Sequence, residues 1–430
     1  MPARQGRLRH PSGPGSGRPD FLDATFPGDG RPARRPRRIA AHDEEYVVTS
    51  PASTLAFVES PVQLLNVLEW AHAQGIRPDT AGPAEVLLDG VPGQPPAGRG
   101  PGDEGSDPVP FGGLSIVILP PTDPMSRGQL RRVAAIARDE GFTVCWREAR
   151  GGSLAPLKAL ASLLGQVRRA RRIVIGDPFS RFVQLLLLRA GAKDLVVVDD
   201  GTATMEFIAQ LGRGERLRRW HRSAAGGLGR ARELLFAPVS GNARRRLTPR
   251  GEGRVEVFTS MPVAALPGMT LRVNDFGWTR ARFGPPRLTK GTDLVGTSLV
   301  ETGVVDADRY QDAVVRLCRA HGATRYFAHR RESAEKLRRL SEVTGLEIVR
   351  PDLPLELIAR RGPVGRTIVS FPSTVVHTLP YALQGTGVTV AVCDIDPRWL
   401  TGSASPRAQS FLAGVTDTAR DVRRLAIAAG

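Results

Sequence analysis

The sequence predicts an α/β protein with two Rossmann-like domains facing each other across an interdomain cleft. Short apolar runs rich in β-branched residues alternate with helix-length amphipathic segments, which is typical of parallel sheets covered by helices on both faces. The alternation stops once, between about residues 211 and 290, and then begins again. A chain of 430 residues is long enough for two domains with full cores.

The elements can be assigned in order along the chain. Before the interruption and at its end, strands are predicted at 54–59, 84–88, 114–119, 143–147, 172–175, 194–198 and 255–259, with helices at 61–74, 127–140, 154–170 and 179–190. After it, strands are predicted at 293–296, 325–328, 346–349, 366–370 and 388–392, with helices at 307–320 and 333–344. Because the alternation of strands and helices begins again after residue 290, we predict an N-terminal domain at 46–290 and a C-terminal domain at 291–430 that includes a C-terminal helix. A single oversized sheet is the alternative.

Two segments lack this pattern. Residues 1–45 are rich in Arg, Pro and Gly without hydrophobic periodicity, so burial cannot offset the entropy of ordering them, and we predict a disordered N-terminal tail. The basic run at 31–38 suits contact with nucleic acid or lipid, but a dispensable extension is the simpler interpretation. The breaker-rich stretch at 91–113 predicts a long surface loop within the first domain.

Charge and cysteine content narrow the class of protein. The chain has 60 Lys and Arg against 43 Asp and Glu, a net charge of +17, which attracts polyanions such as nucleic acid, anionic lipid or acidic glycan. The three Cys are far apart and form no C-x-x-C pair, which argues against disulfides or a zinc knuckle and favours a reducing cytosol. We find no apolar signal segment and no apolar run long enough to span a bilayer, so we expect a cytoplasmic protein.

Polar groups follow two strands in the first domain, and ligands of open parallel sheets bind beyond the carboxyl ends of the strands. In FVESPVQLLNVLEW, Ser60 and Pro61 suit a helix start, and Gln63 could face the cleft. In DLVVVDDGTATM, Asp199 and Asp200 end an apolar strand. One carboxylate can orient the loop while the other accepts a proton from an attacking hydroxyl; a helix cap is the alternative.

Two strand ends in the second domain suggest an anion site. In RYFAHRRES, His329 is followed by Arg330 and Arg331, a combination that suits a phosphate or leaving group, although a lone His is often structural. In TIVSFPSTVVHTLPYA, Ser373 and Thr374 come between a strand and a helix, where hydroxyls and free N–H groups bind anions. Capping alone would explain only one of these two hydroxyls.

In this order, the four segments resemble the motifs of bacterial sialyltransferases of the polysialyltransferase and lipooligosaccharide type. Those enzymes carry an acid-acid-Gly motif, a His-Pro motif and a Ser-Ser/Thr motif in the same order along the chain. The resemblance covers roughly residues 54–400. It implies a GT-B-like fold, with the glycan acceptor mostly on the first domain and a CMP-sugar mostly on the second.

The resemblance also implies a role for each matching residue. Asp200 matches the general base, and the adjacent Asp199 is a further catalytic candidate. His329 matches the residue that assists the departing CMP phosphate. Ser373 and Thr374 match the pair that binds that phosphate or the sugar carboxylate. The remaining candidates for the donor site are Ser370, Glu356 and Arg330. Glu356, in a Pro-x-Glu-like segment, would accept hydrogen bonds from ribose hydroxyls, whereas Arg330 replaces the family's Pro and either alters the loop or adds a phosphate contact.

The implied reaction is an inverting transfer of a sialic acid or related nonulosonic acid from a CMP-activated donor to a glycan hydroxyl. The CMP-sugar is a co-substrate, and we expect neither a cofactor nor a metal, because the donor carries one phosphate rather than a pyrophosphate. Asp394 and Asp396 spell the D-x-D of metal-dependent glycosyltransferases. Their position before Pro397 favours a loop or cap role instead.

A basic segment at 211–254 carries twelve Arg and three Glu. It is either a solvated face or a surface that holds an anionic or lipid-linked glycan acceptor, or that rests on the inner leaflet of the cytoplasmic membrane. A nucleic-acid-binding protein is the alternative from another class, but no aromatic-interleaved basic motif, zinc spacing or helix-turn-helix pattern supports it. A transferase-like scaffold without activity is the third possibility.

Overall fold

A computed structural model describes residues 54–76, 113–150, 152, 154–219, 227–250, 254–402, 404 and 406–425. Three predicted features therefore lie outside the described residues: the tail at 1–45, the strand at 84–88, and the loop at 91–113 except for its last residue.

The first sheet is built from the elements up to residue 283. Its strands are β1 (Thr54–Val58), β2 (Leu114–Ile118), β3 (Thr143–Trp146), β4 (Arg172–Ile175), β5 (Asp194–Val198), β6 (Arg254–Thr259) and β7 (Met269–Val273). Its helices are α1 (Pro61–Ala73), α2 (Pro124–Asp139), α3 (Ala155–Arg169), α4 (Arg181–Arg189), α5 (Thr202–Gly212), α6 (Gly227–Leu247) and α7 (Gly277–Phe283). The strands are parallel and lie in the order β3-β2-β1-β4-β5-β6-β7. The order of strands therefore reverses between β1 and β4.

The second sheet repeats this topology with six strands. They are β8 (Leu288–Val295), β9 (Ala323–Phe327), β10 (Glu347–Val349), β11 (Val364–Ser370), β12 (Thr389–Cys393) and β13 (Arg423–Leu425). The helices are α8 (Ala307–His321), α9 (Ala334–Thr344), α10 (Leu355–Arg361), α11 (Val375–Ala382) and α12 (Pro406–Thr418). All strands are parallel, in the order β10-β9-β8-β11-β12-β13, so the order reverses between β8 and β11.

The predicted fold class is confirmed by this topology: an α/β chain with two Rossmann-like sheets, in the GT-B-like arrangement that the resemblance implied. The alternative of one oversized sheet is wrong, because no strand pairing joins the two sheets among the described residues. The predicted boundary between residues 290 and 291 falls within β8. The assignment of acceptor and donor to the two domains stays a prediction.

Strand β1 shows why the predicted strands read as uninterrupted apolar runs. Side chains alternate between the faces of a sheet. Leu55 and Phe57 pack into one apolar cluster, and Ala56 and Val58 pack into the other. Both faces are covered by helices, so every position of the strand is buried, and its side chains are apolar except for Thr54 at the first position.

The segment between 211 and 290 contains more structure than the single strand predicted for it. Helix α6 escaped prediction because it contains Gly227, Gly229, Gly241 and Pro238, which are poor helix formers. Strand β7 escaped because it lies at the edge of the sheet, where only Met269 is buried. Tertiary packing therefore overrode weak local signals in this region.

The two halves of the chain are packed together through α7. This helix contacts α1 in the first half and α10 and α11 in the second. The Glu69 carboxylate of α1 accepts hydrogen bonds from the backbone N–H groups of Trp278 (2.8 Å) and Thr279 (3.0 Å) at the start of α7. Leu353 and Leu357 of the second half join the apolar cluster of α1. Among the described residues, no helix combines the length and apolar character needed to cross a membrane.

Candidate active site

A cavity of about 400 Å³ lies between the two sheets, at the carboxyl ends of their strands. Both points of reversed strand order open into it: Ser60 follows β1, while Gly296 and Thr374 follow β8 and β11. This is the position where open parallel sheets bind ligands. The cavity is lined by seven of the eight predicted site residues: Asp199, Asp200, His329, Arg330, Glu356, Ser373 and Thr374.

Asp199 holds the turn that follows β5. Its side chain is 2% exposed. Its Oδ1 accepts from Gly201 N (2.9 Å) and Thr204 Oγ1 (2.8 Å), and its Oδ2 accepts from Ser260 N (3.2 Å) and Ser260 Oγ (3.1 Å). Both oxygens are therefore occupied by protein donors. We read Asp199 as the residue that orients the turn, not as the predicted second catalytic acid.

Asp200 presents the carboxylate that remains accessible, with a side chain 17% exposed. The Gln63 side-chain amide donates to it, and Arg219 Nη2 donates to its Oδ2 at 3.1 Å. Burial, followed by the neighbouring carboxylate of Asp177, raises the pKa of Asp200 to about 7, against the opposing effects of Arg219 and Gln63. A carboxylate with a pKa near neutrality can accept a proton and still be ionised under physiological conditions.

Gly201 brings this turn into contact with the second half of the chain. It has φ of 66°, a conformation that favours glycine. A Cβ at this position would lie 2.6 Å from Thr374 Cγ2. The absence of a side chain at Gly201 is therefore what allows the Asp-Asp-Gly turn and the Ser-Thr segment to approach each other across the cavity.

His329 lies in the turn after β9, which is held by Glu332. The Glu332 carboxylate, 3% exposed, accepts from His329 N (2.6 Å), from the Tyr326 hydroxyl (2.6 Å) and from Lys336 Nζ (2.8 Å). Arg331 N–H donates to His329 Nδ1 (3.2 Å), so Nδ1 is an acceptor and the neutral ring carries its proton on Nε2. The loop thus fixes both the position and the tautomer of the imidazole.

The electrostatic surroundings keep His329 neutral. Burial, followed by the positive charges of Arg330, Arg331 and Lys336, lowers the pKa of His329 to about 4. The imidazole therefore acts as an N–H donor near neutral pH and not as a cation. Arg330 supplies positive charge beside it: it lines the same cavity, and its charge interacts with that of Asp200.

The Ser-Thr segment leads from β11 into α11. Ser373 Oγ contacts Ser370 Oγ at 3.2 Å, and Ser370 Oγ donates to the carbonyl of Phe371 (2.8 Å). Ser370 is 1% exposed, so it supports Ser373 from behind and does not line the cavity. Ser373, Thr374 and Val375 line the cavity at the start of α11. Val376 N and His377 N donate to the carbonyls of Ser373 (3.3 Å) and Thr374 (3.0 Å). Thr374 N–H and Val375 N–H are therefore the backbone donors at this helix start that suit an anion.

Glu356 lies at the start of α10 and is 5% exposed. It accepts from Thr378 Oγ1 of α11 at 2.5 Å, and burial raises its pKa. Both residues line the cavity. The hydrogen bond to Thr378 leaves Glu356 able to accept further donors, as the predicted contact with ribose would require.

The Asp-x-Asp sequence after β12 has a capping role. Asp396 Oδ1 accepts from Arg398 N (2.8 Å) at the start of a short 3₁₀ helix, Pro397–Trp399, and the Arg398 guanidinium pairs with its carboxylate (2.6 Å). Hydrogen bonds from Arg398 lower the pKa of Asp396 to about 2. This geometry confirms the predicted cap role for Asp396.

Three residues of the site were not singled out from the sequence: Asp177, Arg219 and Glu332. Asp177 follows β4 in the sequence Gly-Asp-Pro, a strand end with a carboxylate like that of Asp200. Its position was a usable signal. Arg219 lay within the basic segment at 211–254, where nothing in the sequence distinguishes one Arg from another. In the same segment, Arg246 donates to the carbonyl of Ala192 (2.6 Å), so part of the charge serves the fold.

Comparisons with known proteins add only distant similarities. Neither a protein-family model nor a curated protein matches this chain. Among solved structures, it is similar to an alpha/beta-galactoside alpha-2,3-sialyltransferase of Photobacterium phosphoreum, at 8% identity over 86% of this chain and 98% of that chain, with a TM-score of 0.44. It is also similar to MurG of Acinetobacter baumannii, at 10% identity over 87% and 85% (TM-score 0.37). A third similarity is to Os79 of O. sativa in complex with UDP, at 12% identity over 85% and 95% (TM-score 0.33). Similarities at this level say nothing about activity.

Proposed function

We propose that this chain is a glycosyltransferase that moves a sialic acid or related nonulosonic acid from a CMP-activated donor to a hydroxyl of a glycan acceptor, with inversion. The observation that carries the proposal is the convergence on one cavity of Asp200 from the first sheet with His329, Ser373 and Thr374 from the second. An accessible carboxylate opposite N–H and O–H donors is what a displacement of phosphate by a hydroxyl requires.

Asp200 is the general base of this proposal. It takes the proton of the acceptor hydroxyl as the oxygen attacks the anomeric carbon, and the bond from that carbon to the CMP phosphate breaks on the opposite face. Gln63 and Arg219 hold the carboxylate in place. The contacts of Asp199 fix the turn, so the base needs no reorganisation when the acceptor binds.

The second half of the chain stabilises the departing CMP. Several donors line one cavity: the Nε2–H of neutral His329, the hydroxyls of Ser373 and Thr374, and the N–H of Val375 at the start of α11. Donors fixed in advance stabilise negative charge as it develops on the phosphate oxygen. Arg330, in place of the family's Pro, adds a positive charge on the same side, and Glu356 would accept hydrogen bonds from the ribose.

The proposal includes independence from metal ions. A CMP donor develops charge on a single phosphate, and the donors described above suit that charge. We expect full activity in EDTA. Loss of activity in EDTA with recovery in Mn²⁺ would contradict this part of the proposal and direct attention back to Asp394 and Asp396.

The acceptor in this proposal is an anionic or lipid-linked glycan, and the chain acts in the cytoplasm, in peripheral contact with the cytoplasmic membrane. The support is the positive charge of the basic segment at 211–254, which would attract acidic polymers or anionic lipid.

The test combines CMP binding with CMP release. CMP should raise the melting temperature of the wild-type chain, and CMP-sugars should release CMP when an acceptor is present. Asp200→Asn should keep the CMP-dependent stabilisation but lower release about 10²–10⁴-fold. Asp312→Asn, the same change at an exposed position of α8, serves as the control.

Two results would contradict the proposal. Without stabilisation by CMP, and with salt-dependent retention on duplex DNA instead, the basic chain would be a nucleic-acid-binding protein. Stabilisation by CMP without release from any CMP-nonulosonic acid would indicate a scaffold that has lost the transfer activity.

A further inference from the structure

Behind Asp200, one arginine joins two carboxylates. Arg219 Nη2 donates to Asp200 Oδ2 at 3.1 Å and to Asp177 Oδ2 at 2.8 Å. Among the described residues that line the cavity, neither Asp177 nor Arg219 appears. Neither therefore touches the substrates directly. In the transfer proposed above, Arg219 holds the Asp200 carboxylate and Asp177 has no assigned part.

The position of Asp177 is set by the protein alone. It follows β4 and is 6% exposed. Its Oδ1 accepts from Phe179 N at 2.9 Å, within the turn that leads to α4, and its Oδ2 accepts from Arg219. A carboxylate held by the main chain on one side and by a guanidinium on the other stays in place whether or not a substrate is bound.

We propose that Asp177 and Arg219 are positioning residues that set the protonation state of Asp200, with Arg219 favouring the ionised carboxylate and Asp177 opposing it. The inference rests on the proposed function, in which Asp200 is the base. The physical reason is the sharing of one cation: an opposite charge in contact stabilises a carboxylate and a like charge nearby destabilises it, and a guanidinium shared by two carboxylates neutralises neither fully.

Other groups also face Asp200, and each has a distinct role. Asp199, on the same turn, acts in the same direction as Asp177, whereas Arg330 acts in the same direction as Arg219 from across the cavity. Gln63 contributes a neutral hydrogen bond from α1. Arg330 lines the cavity, so a bound phosphate would change its contribution. Asp177 and Arg219 are the pair whose contribution is independent of the donor.

The test is a titration of Asp200 that does not require sugar transfer. The full chain is labelled with aspartate carrying ¹³C at the side-chain carboxyl, and the Asp200 signal is assigned by its loss in Asp200→Asn. We expect Asp177→Asn to move the titration midpoint of Asp200 down by about one pH unit and Arg219→Gln to move it up by at least about one unit. Arg216→Gln, the same change at an exposed position of the same segment, should leave the midpoint unchanged.

The opposite signs distinguish this role from a structural one. A midpoint that stays in place in both variants, or that moves in the same direction in both, would overturn the inference. If Arg219→Gln does not fold, the fall in Asp177→Asn decides the matter by itself, and its absence overturns the inference.

The same variants separate this inference from the proposed function. In CMP-release assays, the acid limb of kcat/KM should move with the midpoint of Asp200, down in Asp177→Asn and up in Arg219→Gln. Shifts in the titration without transfer in the wild type would contradict the proposed function and the role of the pair in it. Transfer with an acid limb that does not follow the titration would overturn the inference alone.

Discussion

At the scale of single residues, the protonation of Asp200 should control the pH dependence of activity. Its raised pKa, about 7, means that the base is protonated below neutrality. We therefore expect kcat/KM for CMP-sugar transfer to rise about ten-fold per pH unit below about pH 7 and to level off above it. A pH series with one donor and one acceptor measures this.

His329 should add nothing to that profile near neutrality. Its pKa of about 4 keeps the ring neutral at every pH near 7, so loss of a proton from His329 cannot lower activity above pH 7. A second limb at neutral pH that disappears in His329→Gln would show that the imidazole acts as a cationic acid, contrary to the geometry of Nδ1.

Gly201 should tolerate no side chain. Alanine at φ of 66° and ψ of −125° costs about 1–3 kcal/mol in backbone strain. The added Cβ would also meet Thr374 Cγ2. We expect Gly201→Ala to lower the melting temperature and to abolish most of the transfer activity.

Gly75→Ala is a control for adding a side chain at positive φ without a new contact. Gly75 has a similar φ of 65°, but a Cβ there would meet nothing within 4 Å. Its cost should therefore be the backbone strain alone. Thr374→Ser removes Cγ2 and keeps the hydroxyl, so the double variant with Gly201→Ala should recover part of the lost stability. If Gly75→Ala and Gly201→Ala are equally harmful, the contact across the cavity has no energetic importance.

At the scale of elements, the loop between β9 and α9 depends on Glu332. Glu332→Gln would present an N–H group to at least one of the donors that now surround the carboxylate, and a buried unpaired donor costs about 1–3 kcal/mol. We expect a lower melting temperature and a fall in kcat, because the position of His329 is lost, with CMP binding reduced less.

The control is Glu335→Gln, which removes the same charge at an exposed position of α9. Thermal unfolding and initial-rate kinetics on both variants make the comparison. Equal effects of the two substitutions would mean that negative charge near the start of α9 matters and that the hydrogen bonds of Glu332 with His329 N and the Tyr326 hydroxyl do not.

The elements also show where sequence patterns are sufficient. Strands β4 and β5 begin and end at the predicted residues, since a strand buried on both faces is an apolar run with sharp ends. Strand β8 begins at Leu288, before the predicted start at residue 293. The prediction started too late because Lys290 and Gly291 interrupt the apolar pattern, although the backbone of this stretch pairs with β11. Pairing partners are not visible in a local pattern.

At the scale of the whole molecule, the basic segment should control the choice of acceptor. A combined change of the exposed Arg216, Arg245 and Arg250 to Gln avoids Arg219 and Arg246, which have structural contacts. We expect weaker activity on long acidic acceptors, with a reduced dependence on salt, and little change on short neutral ones.

The control changes the same number of exposed arginines elsewhere: Arg319, Arg361 and Arg366 of the second half. Acceptor chains of increasing length, assayed at two salt concentrations, provide the measurement. Equal losses on long acidic and short neutral acceptors would remove the acceptor role of the segment.

The amino-acid sequence alone was sufficient to predict the architecture and most residues of the candidate site. Strand-end positions are local properties: Asp200, His329 and Ser373 each follow shortly after the end of an apolar strand. The carboxyl ends of parallel strands share one edge of a sheet. Those residues could therefore be named before any contact between them was known.

The division of labour between Asp199 and Asp200 was decided only by tertiary packing. The two are adjacent and chemically identical. Ser260, which is distant in the chain, occupies one oxygen of Asp199, while Gly201 and Thr204 of the same turn occupy the other, and Asp200 remains the accessible carboxylate. The pairing of Arg219 with Asp177 likewise joins residues 42 positions apart in the chain. Local patterns record which groups a segment carries, but hydrogen-bond partners and burial depend on which distant segments pack against it, and these set the pKa of each group.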